Sequence, residues 1–231
     1  MDVVTGVWQW FADGENWSGS NGIPQRLLEH FVISGWALLL AFAVALPAGI
    51  VVGHTRRFGA LVTNIGNLGR AIPTFAVLVI LASWEAVGVS DLAAILALAV
   101  FAVPPVLTNT YVGVRDVDPQ ALDSARGLGM TGGQVLRRVE LPLAVPLIAA
   151  GIRTATVQVV ATATLAALVG GGGLGRYVVD GFGLQDTTLL FAGVVLVAVV
   201  CIVVELVLSA AQRAVTPPPL RSGAADVLGD F

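Results

Sequence analysis

Residues 31–53 read FVISGWALLLAFAVALPAGIVVG, a run of 23 residues without a charged side chain. The hydrocarbon core of a bilayer is about 30 Å thick, and a helix that rises about 1.5 Å per residue needs roughly 20 apolar residues to cross it. All backbone groups inside such a helix are hydrogen-bonded within the segment, as a lipid environment requires. We predict that this run is a transmembrane helix.

Four further apolar segments have the same length and character. Two of them carry one interior basic residue each, Arg70 and Arg153, and another carries one acid, Glu205. The sequence therefore predicts an all-α polytopic membrane protein with about five transmembrane helices. The predicted spans are residues 31–53, 61–84, 92–111, 143–169 and 187–211.

The composition of the 231-residue chain excludes several classes of protein. Hydrophobic residues make up 56% and charged residues 12%, whereas a soluble domain has about 25% charged residues. The mean hydropathy is +0.88. A nucleic-acid binder, a disordered tail and a disulfide-stapled secreted domain are therefore excluded; Cys201 is the single cysteine. All twelve basic residues are arginine, so there is no phosphate-binding loop of the G-x-x-x-x-G-K-[ST] type.

The distribution of arginine predicts the orientation of the chain. The connections after the first and third spans and the C-terminal tail hold eight arginines, whereas the other side of the membrane receives Arg26 and Arg176. Because cytoplasmic loops carry an excess of basic residues, we predict that the N-terminus lies outside the cell and the C-terminus inside. The eight are Arg56, Arg57, Arg115, Arg126, Arg137, Arg138, Arg213 and Arg221.

The two ends of the chain are predicted to lie outside the bundle of spans. The first 25 residues contain three acids and no basic residue, so they lack the basic start of a signal peptide. They also contain Trp8, Trp10 and Trp17, and tryptophan is frequent at the membrane–water boundary. We predict an extracytoplasmic leader, residues 1–26, that is exposed or lies on the membrane surface. Residues 214–231 contain three consecutive prolines and predict a disordered cytoplasmic tail.

The long cytoplasmic connection, residues 112–142, contains the stretch VDPQALDSARGLGMTGGQVLRRVELP. Asp118 followed by Pro119 is typical of a helix start. The pattern predicts a short amphipathic helix that ends near Leu128, with Gly129 in the left-handed conformation. A second short helix, about residues 132–139, is predicted to stop before Pro142. The physical pattern alone leaves two interpretations open, an ordinary interfacial helix or a knob for a partner's groove.

This stretch resembles the signature cytoplasmic loop of binding-protein-dependent ABC importer permeases. The signature has E-A-A, three residues, Gly, nine residues, a β-branched residue, one residue and then Leu-Pro. This sequence departs from it at two places, with Asp for Glu and Ser for Ala. The resemblance implies a type I ABC importer permease fold over residues 27–213, with 112–142 as the coupling loop. The matching positions are Asp123, Ser124, Ala125, Gly129, Val139, Leu141 and Pro142.

Four other stretches are similar to one subgroup, the osmoprotectant permeases, which import glycine betaine, choline, carnitine and related amines. The alternative is a permease for methionine or another small solute; a secondary carrier and a non-transporting scaffold are more distant alternatives. The four stretches are residues 71–74 (AIPT), 108–111 (TNTY), 151–155 (GIRTA) and 170–175 (GGGGLG).

The resemblance also implies a set of partners. A separate ABC ATPase, in two copies, would dock on the coupling loop and would carry the ATP and magnesium, so this chain is expected to bind no cofactor and to be no enzyme. A second permease chain, identical or paralogous, would complete the pathway, and an extracytoplasmic solute-binding protein would deliver the solute. The lipid bilayer surrounds the assembly, and no nucleic acid is involved.

A few residues outside the loop are further candidate sites. Arg153 and Glu205 lie about 14 and 10 Å from the cytoplasmic ends of their spans, so we predict an ion pair that either braces two helices or contacts the solute. Arg70 and Pro73 are candidates for a conduit or hinge. We find no catalytic constellation and no metal-ligand set. A tight external turn, open to close approach by another chain, is predicted at Gly170, Gly171, Gly172, Gly173 and Gly175.

Overall fold

The structure, a computed structural model, describes residues 2–216, apart from the side chain of Arg70. Its regular elements are all helices within that range. From residue 217 on, the predicted disordered tail lies outside the described residues. The α-helices are α1 Val3–Ala12, α2 Ile23–Thr55, α3 Gly59–Ala71, α4 Thr74–Ala82, α5 Asp91–Arg115, α6 Pro119–Gly127, α7 Gly132–Val135, α8 Leu141–Thr162, α9 Gly175–Leu184 and α10 Thr187–Val215.

Among the described residues, four helical segments are long and apolar enough to cross a membrane: α2, α5, the continuous helix Gly132–Val169 and α10. The short helices α3 and α4 satisfy the same criterion as a bent pair, either one broken span or a re-entrant loop. The break falls at Ile72 and Pro73, because proline has no N–H to donate and disfavours helical geometry at the residue before it.

The chain divides into two compact units. Unit 2 contains α6 and the helix ends on either side of it, and unit 1 contains α1, α4, α9 and the glycine-rich turn. Unit 1 consists of Met1–Ala41, Gly69–Ala102 and Thr156–Val204, and unit 2 consists of Phe42–Leu68, Val103–Ala155 and Glu205–Phe231.

Glycines allow α2 to pack closely against α5 in unit 2. A β-carbon on Gly49 would lie 2.7 Å from Cβ of Thr110, and one turn further on a β-carbon on Gly53 would lie 2.7 Å from Cβ of Val114. Small residues of this kind let membrane helices approach at backbone distance. Because the contacts advance in the same direction along both helices, α2 and α5 run parallel.

The parallel arrangement of α2 and α5 decides the number of spans. Two parallel transmembrane helices require the chain between them to return across the membrane. In unit 2 the returning chain begins with α3, which runs antiparallel to α5: Gly59 lies against Tyr111, and a β-carbon on Gly66 would lie 2.7 Å from the Thr108 hydroxyl oxygen. We therefore interpret the α3–α4 pair as one broken span, which agrees with the predicted fold of about five spans within the described residues.

The helix predicted to stop before Pro142 does not stop there, and that expectation is wrong. A π-helical turn, Leu136–Glu140, joins α7 to α8, and the helix continues from Gly132 to Val169, the last stretch, Ala163–Val169, being a 3-10 helix. The Leu141 N–H donates to the Leu136 carbonyl, five residues back. The wider π turn accommodates Pro142, whose ring would clash with a carbonyl of a regular α turn and which has no N–H to donate.

The predicted leader is a folded part of unit 1. Trp10 and Phe11 of α1 pack against a buried cluster of Ile23, Leu174 and Tyr177. The indole N–H of Trp17 donates to the Phe11 carbonyl at 2.8 Å. The helix α2 begins at Ile23, inside the stretch 1–26 that was predicted to precede the bundle.

Candidate functional site

The start of α6 follows from two adjacent residues. The Asp118 side chain accepts a hydrogen bond from the Gln120 backbone N–H at 2.9 Å, and Pro119 occupies the first turn. The cap satisfies one of the donors that a helix start leaves free, and the proline has no donor to satisfy. The predicted helix start is confirmed.

The end of α6 is a tight, left-handed turn at Gly129. The residue has φ of +80°, a region that side chains other than glycine rarely adopt. Two backbone hydrogen bonds close the turn, from the Met130 N–H to the Ala125 carbonyl at 3.2 Å and from the Gly129 N–H to the Arg126 carbonyl at 2.9 Å. This is the Schellman pattern, and it projects Leu128 outward with 80% of its surface exposed.

A small apolar cluster holds α6 against the helix that follows it. Leu122 and Ala125, the inner face of α6, are 1% and 4% exposed and pack with Val117 and Val135. Met130 and Val139 cover the edge of the cluster. The segment from 117 to 139 is therefore one packed body. We call residues 117–140 the coupling segment, after the role that the resemblance implies.

The outer face of α6 is exposed: no other part of the described chain covers it. Asp123, Ser124 and Arg126 are exposed, and Arg126 lies 3.5 Å from Asp123. An exposed pair of this kind contributes little to stability. A β-carbon on Gly129 would meet nothing within 4 Å. The face thus combines charge, small residues and one protruding leucine, which suits a protein groove.

The end of α5 is held rigidly where the coupling segment begins. Nη1 of Arg115 donates to the Tyr111 hydroxyl at 3.0 Å, and the guanidinium lies 4.9 Å from the ring centroid. The same guanidinium donates to both carboxylate oxygens of Asp116, at 2.5 and 2.8 Å. These hydrogen bonds from Arg115 hold the pKa of Asp116 below its ordinary value, so the carboxylate stays charged.

A second contact joins the coupling segment to α2. Nδ1 of His54, in the last turn of α2, lies 2.5 Å from Oε2 of Glu140. Glu140 is 3% exposed. The imidazole also lies beside Gly132, since a β-carbon there would be 3.8 Å from Nε2 of His54.

The structure brings Arg153 and Glu205 together inside unit 2. Nε of Arg153 donates to Oε2 of Glu205 at 3.0 Å, and Nη2 donates to Oε1. Nη1 donates to Oε1 of Gln212 at 3.0 Å. The guanidinium is thereby engaged on three nitrogens by α10, which runs antiparallel to α8. The predicted ion pair is therefore present, and its role, as a brace between two helices or a contact for the solute, stays a prediction.

The glycine-rich turn lies against side chains of unit 1. The N–H of Gly172 donates to Oδ1 of Asp91 at 3.0 Å, and the N–H of Gly173 donates to Oε2 of Glu29 at 2.9 Å. Gly170 and Gly173 have φ of +76° and +89°. A β-carbon on Gly171 would lie 2.8 Å from the Ala166 carbonyl oxygen, and one on Gly175 would strike Thr164. Within the described residues, this chain itself makes the close approach that we expected from another chain.

Pro73 lies at the break between α3 and α4, with φ of −65° and ψ of 117°. Arg70 belongs to the last turn of α3, and its side chain is outside the described part of the chain. Arg70 thus lies just before the break between two helices and Pro73 lies at the break. Their role as a conduit or hinge stays a prediction.

Comparison with known proteins assigns the family. The family model described as "binding-protein-dependent transport system inner membrane component" matches residues 45–217, three quarters of the chain. The chain belongs to this family. The permease is therefore a multi-pass membrane protein and a subunit of an ABC importer rather than an enzyme, and the resemblance stated from the loop motif is confirmed.

Two curated relatives of the permease come from Bacillus subtilis (strain 168). The choline transport system permease protein OpuBB is 40% identical over 85% of this chain and 89% of its own length. The glycine betaine/carnitine/choline transport system permease protein OpuCB is 38% identical over 84% of this chain and 88% of its own length.

A solved structure of the MetNI methionine ABC transporter in an inward-facing conformation shares the fold of the permease. The TM-score is 0.73 with 22% identity, over 84% of this chain and 96% of that one. At this identity the likeness concerns the fold alone.

The His54–Glu140 contact was missed by our reading of the permease sequence, although a signal was present. No partner for His54 was predicted. Yet the predicted spans place His54 and Glu140 at the same cytoplasmic end, and Glu140 stands directly before an apolar run. An acid and a histidine at neighbouring helix ends are a candidate pair on that ground.

Proposed function

We propose that this chain is the permease subunit of an ABC importer for a compatible solute such as glycine betaine, choline or carnitine. The observation that carries the proposal is the identity of 40% to a choline permease over 85% of the chain. The second relative, with 38% identity, is named for the same class of solute. The likeness to the methionine transporter is one of fold and does not favour methionine.

The proposed route of coupling runs through the outer face of α6. A separate ATPase, present in two copies and carrying ATP and magnesium, docks on Asp123, Ser124 and Gly129. Val139, Leu141 and Pro142 belong to the helix that carries the movement into the membrane. The ATPase has different conformations with ATP and with ADP bound, and these bind the two states of the permease with different affinity. Nucleotide exchange therefore biases the permease between outward-open and inward-open states.

Two further partners complete the proposed assembly. Five spans from one chain do not enclose a polar path, so a second permease, identical or paralogous, faces this one. An extracytoplasmic solute-binding protein delivers the solute, and aromatic side chains that hold quaternary amines by cation–π attraction belong to that protein. The lipid bilayer surrounds the spans of the transmembrane domain, residues 27–213, with the leader 1–26 outside and the tail 214–231 inside.

The test of the solute class is uptake in cells that lack this chain, with and without restored expression. We expect restored cells to take up labelled choline or glycine betaine, with labelled methionine as the control solute, before and after a salt upshift. Uptake that depends on the chain for methionine alone would overturn the solute class while leaving the family assignment intact.

We also propose that the N-terminus lies outside and the coupling segment inside the cell. The described arginines are divided unequally: unit 1 holds Arg26, Arg70 and Arg176. By the positive-inside rule the end of unit 2 that carries α6 is cytoplasmic. Unit 2 holds Arg56, Arg57, Arg115, Arg126, Arg137, Arg138, Arg153 and Arg213.

Cysteine labelling checks this orientation, since Cys201 is the single cysteine of the chain. In a Cys201→Ser background, we expect a membrane-impermeant maleimide to label Gly183→Cys from outside intact spheroplasts and to label Ser124→Cys only after permeabilisation. Both positions are exposed, and a β-carbon at Gly183 meets nothing within 4 Å. Labelling of Ser124→Cys from outside would reverse the proposed topology.

A further inference from the structure

The contact between His54 and Glu140 has the features of a specific link rather than a surface pair. The carboxylate of Glu140 is 3% exposed, and an unpaired charge in such a place is costly. Within residues 2–216, His54 is the side chain that bonds it. With the carboxylate ionised, Nδ1 of His54 carries the proton and donates it in a charge-assisted hydrogen bond.

The position of Glu140 within the chain makes this link mechanically relevant. Glu140 is the last residue of the π-helical turn Leu136–Glu140, between the α6 cluster and the membrane part of α8. The inner face of α6 packs on Val135 and Val139 through Leu122 and Ala125. A displacement of α6 therefore moves the helix that bears Glu140.

His54 lies at the receiving end of this path. It is the penultimate residue of α2, one residue beyond Gly53, which packs against Val114 of α5. Its imidazole bonds to Glu140 and lies near Gly132, so it is close to both the end and the beginning of the segment 132–140. A movement of that segment pulls or pushes the last turn of α2.

We propose that the His54–Glu140 hydrogen bond is the link through which the coupling segment moves α2, and that both side chains are positioning residues for coupled transport. The proposal rests on the proposed function of α6 as the site of ATPase docking. It adds a specific path from that site into the first span. Loss of the link leaves docking and ATP hydrolysis in place but separates them from the movement of α2.

The test compares two amides at position 54. The side-chain amide of His54→Asn places a donor where Nδ1 lies, whereas His54→Gln places its donor near Nε2, away from Glu140. Both variants are neutral and polar. The measurement is the number of labelled choline or glycine betaine molecules imported per ATP hydrolysed by the complete transporter in proteoliposomes, with the binding protein present.

We expect His54→Gln to lower the ratio of solute to ATP by about fivefold and His54→Asn to keep it close to the wild-type value. A purely structural role would lower uptake and ATP hydrolysis in proportion and leave the ratio unchanged, which would overturn the proposal. If the wild-type complex imports neither solute, the proposed solute class fails instead. The ratio is then measured with the solute that it does import.

A cross-link keeps the proposal testable if His54→Gln does not insert. In a Cys201→Ser background, the double variant His54→Cys with Glu140→Cys lacks the hydrogen bond. A short thiol-reactive cross-linker then joins the two positions covalently. We expect the ratio to be low before cross-linking and to rise after it. A ratio that stays low after complete cross-linking, or that is normal beforehand, contradicts the proposal.

Discussion

Gly129→Val is expected to lower ATP-driven uptake by at least about tenfold while the chain still inserts into the membrane. Gly129 has φ of +80°, and a residue with a side chain pays about 1–2 kcal/mol in this conformation, a β-branched one more. Each 1.4 kcal/mol corresponds to about a tenfold change in an equilibrium. The turn that projects Leu128 is therefore lost or displaced, and with it the proposed docking surface for the ATPase.

Two control variants distinguish the effect of the turn geometry on uptake from the effect of a larger side chain. Asparagine tolerates the left-handed conformation better than other residues with side chains, so Gly129→Asn is expected to keep most of the uptake. Gly183→Val adds the same bulk in α9, at a glycine where a β-carbon also meets nothing within 4 Å. Uptake per inserted chain and co-purification of the ATPase are measured for all three. Normal uptake with Gly129→Val would contradict a docking role for this turn.

Arg153→Glu and Glu205→Arg are each expected to reduce the amount of inserted, assembled permease by at least about fivefold. Either change places two like charges together in a membrane segment, where an unpaired charge is expensive. It also removes the hydrogen bonds that join Arg153 to Glu205. The helices α8 and α10 then lose the polar brace between them.

The double reversal tests the pairing itself. Arg153→Glu combined with Glu205→Arg restores opposite charges, so assembly is expected to recover toward the wild-type level, as measured by detergent-resistant complex on size exclusion. Gln212→Leu serves as the control, because it removes one hydrogen bond to Arg153 and no charge. Absence of recovery in the double variant would show that the two charges act separately.

The start and the end of α6 are determined by residues that are neighbours in sequence, so both could be predicted from the sequence. Asp118 and Pro119 start α6 by local hydrogen bonding and ring geometry, and Gly129 ends it because a left-handed residue is required there. The prediction that the helix stops before Pro142 was wrong. A proline in a sequence often indicates the end of a helix, but here the π turn Leu136–Glu140 accommodates it and the helix continues. That choice depends on how the helix from Gly132 packs with α6 and α2.

Contacts between distant parts of the chain had no such local signature. His54 and Glu140 are 86 residues apart, and the signal for their pairing lies in the predicted placement of two span ends rather than in the sequence neighbours of either residue. The same holds for the hydrogen bonds that the Gly172 and Gly173 N–H groups donate to the carboxylates of Asp91 and Glu29. The pairing of Arg153 with Glu205 was predicted, because charges are rare inside spans and comparable depth restricts the choice of partner.

The sequence alone determined that the chain is a helical membrane protein with about five spans and an arginine-rich side, because bilayer thickness and the cost of unpaired polar groups act on each segment separately. The loop motif further identified its family. Tertiary structure alone decided which helices run side by side and which acids reach which donors. Those choices depend on close approach at Gly49, Gly53 and Gly66. The free energy of such packing depends on pairs of helices rather than on any one stretch of residues.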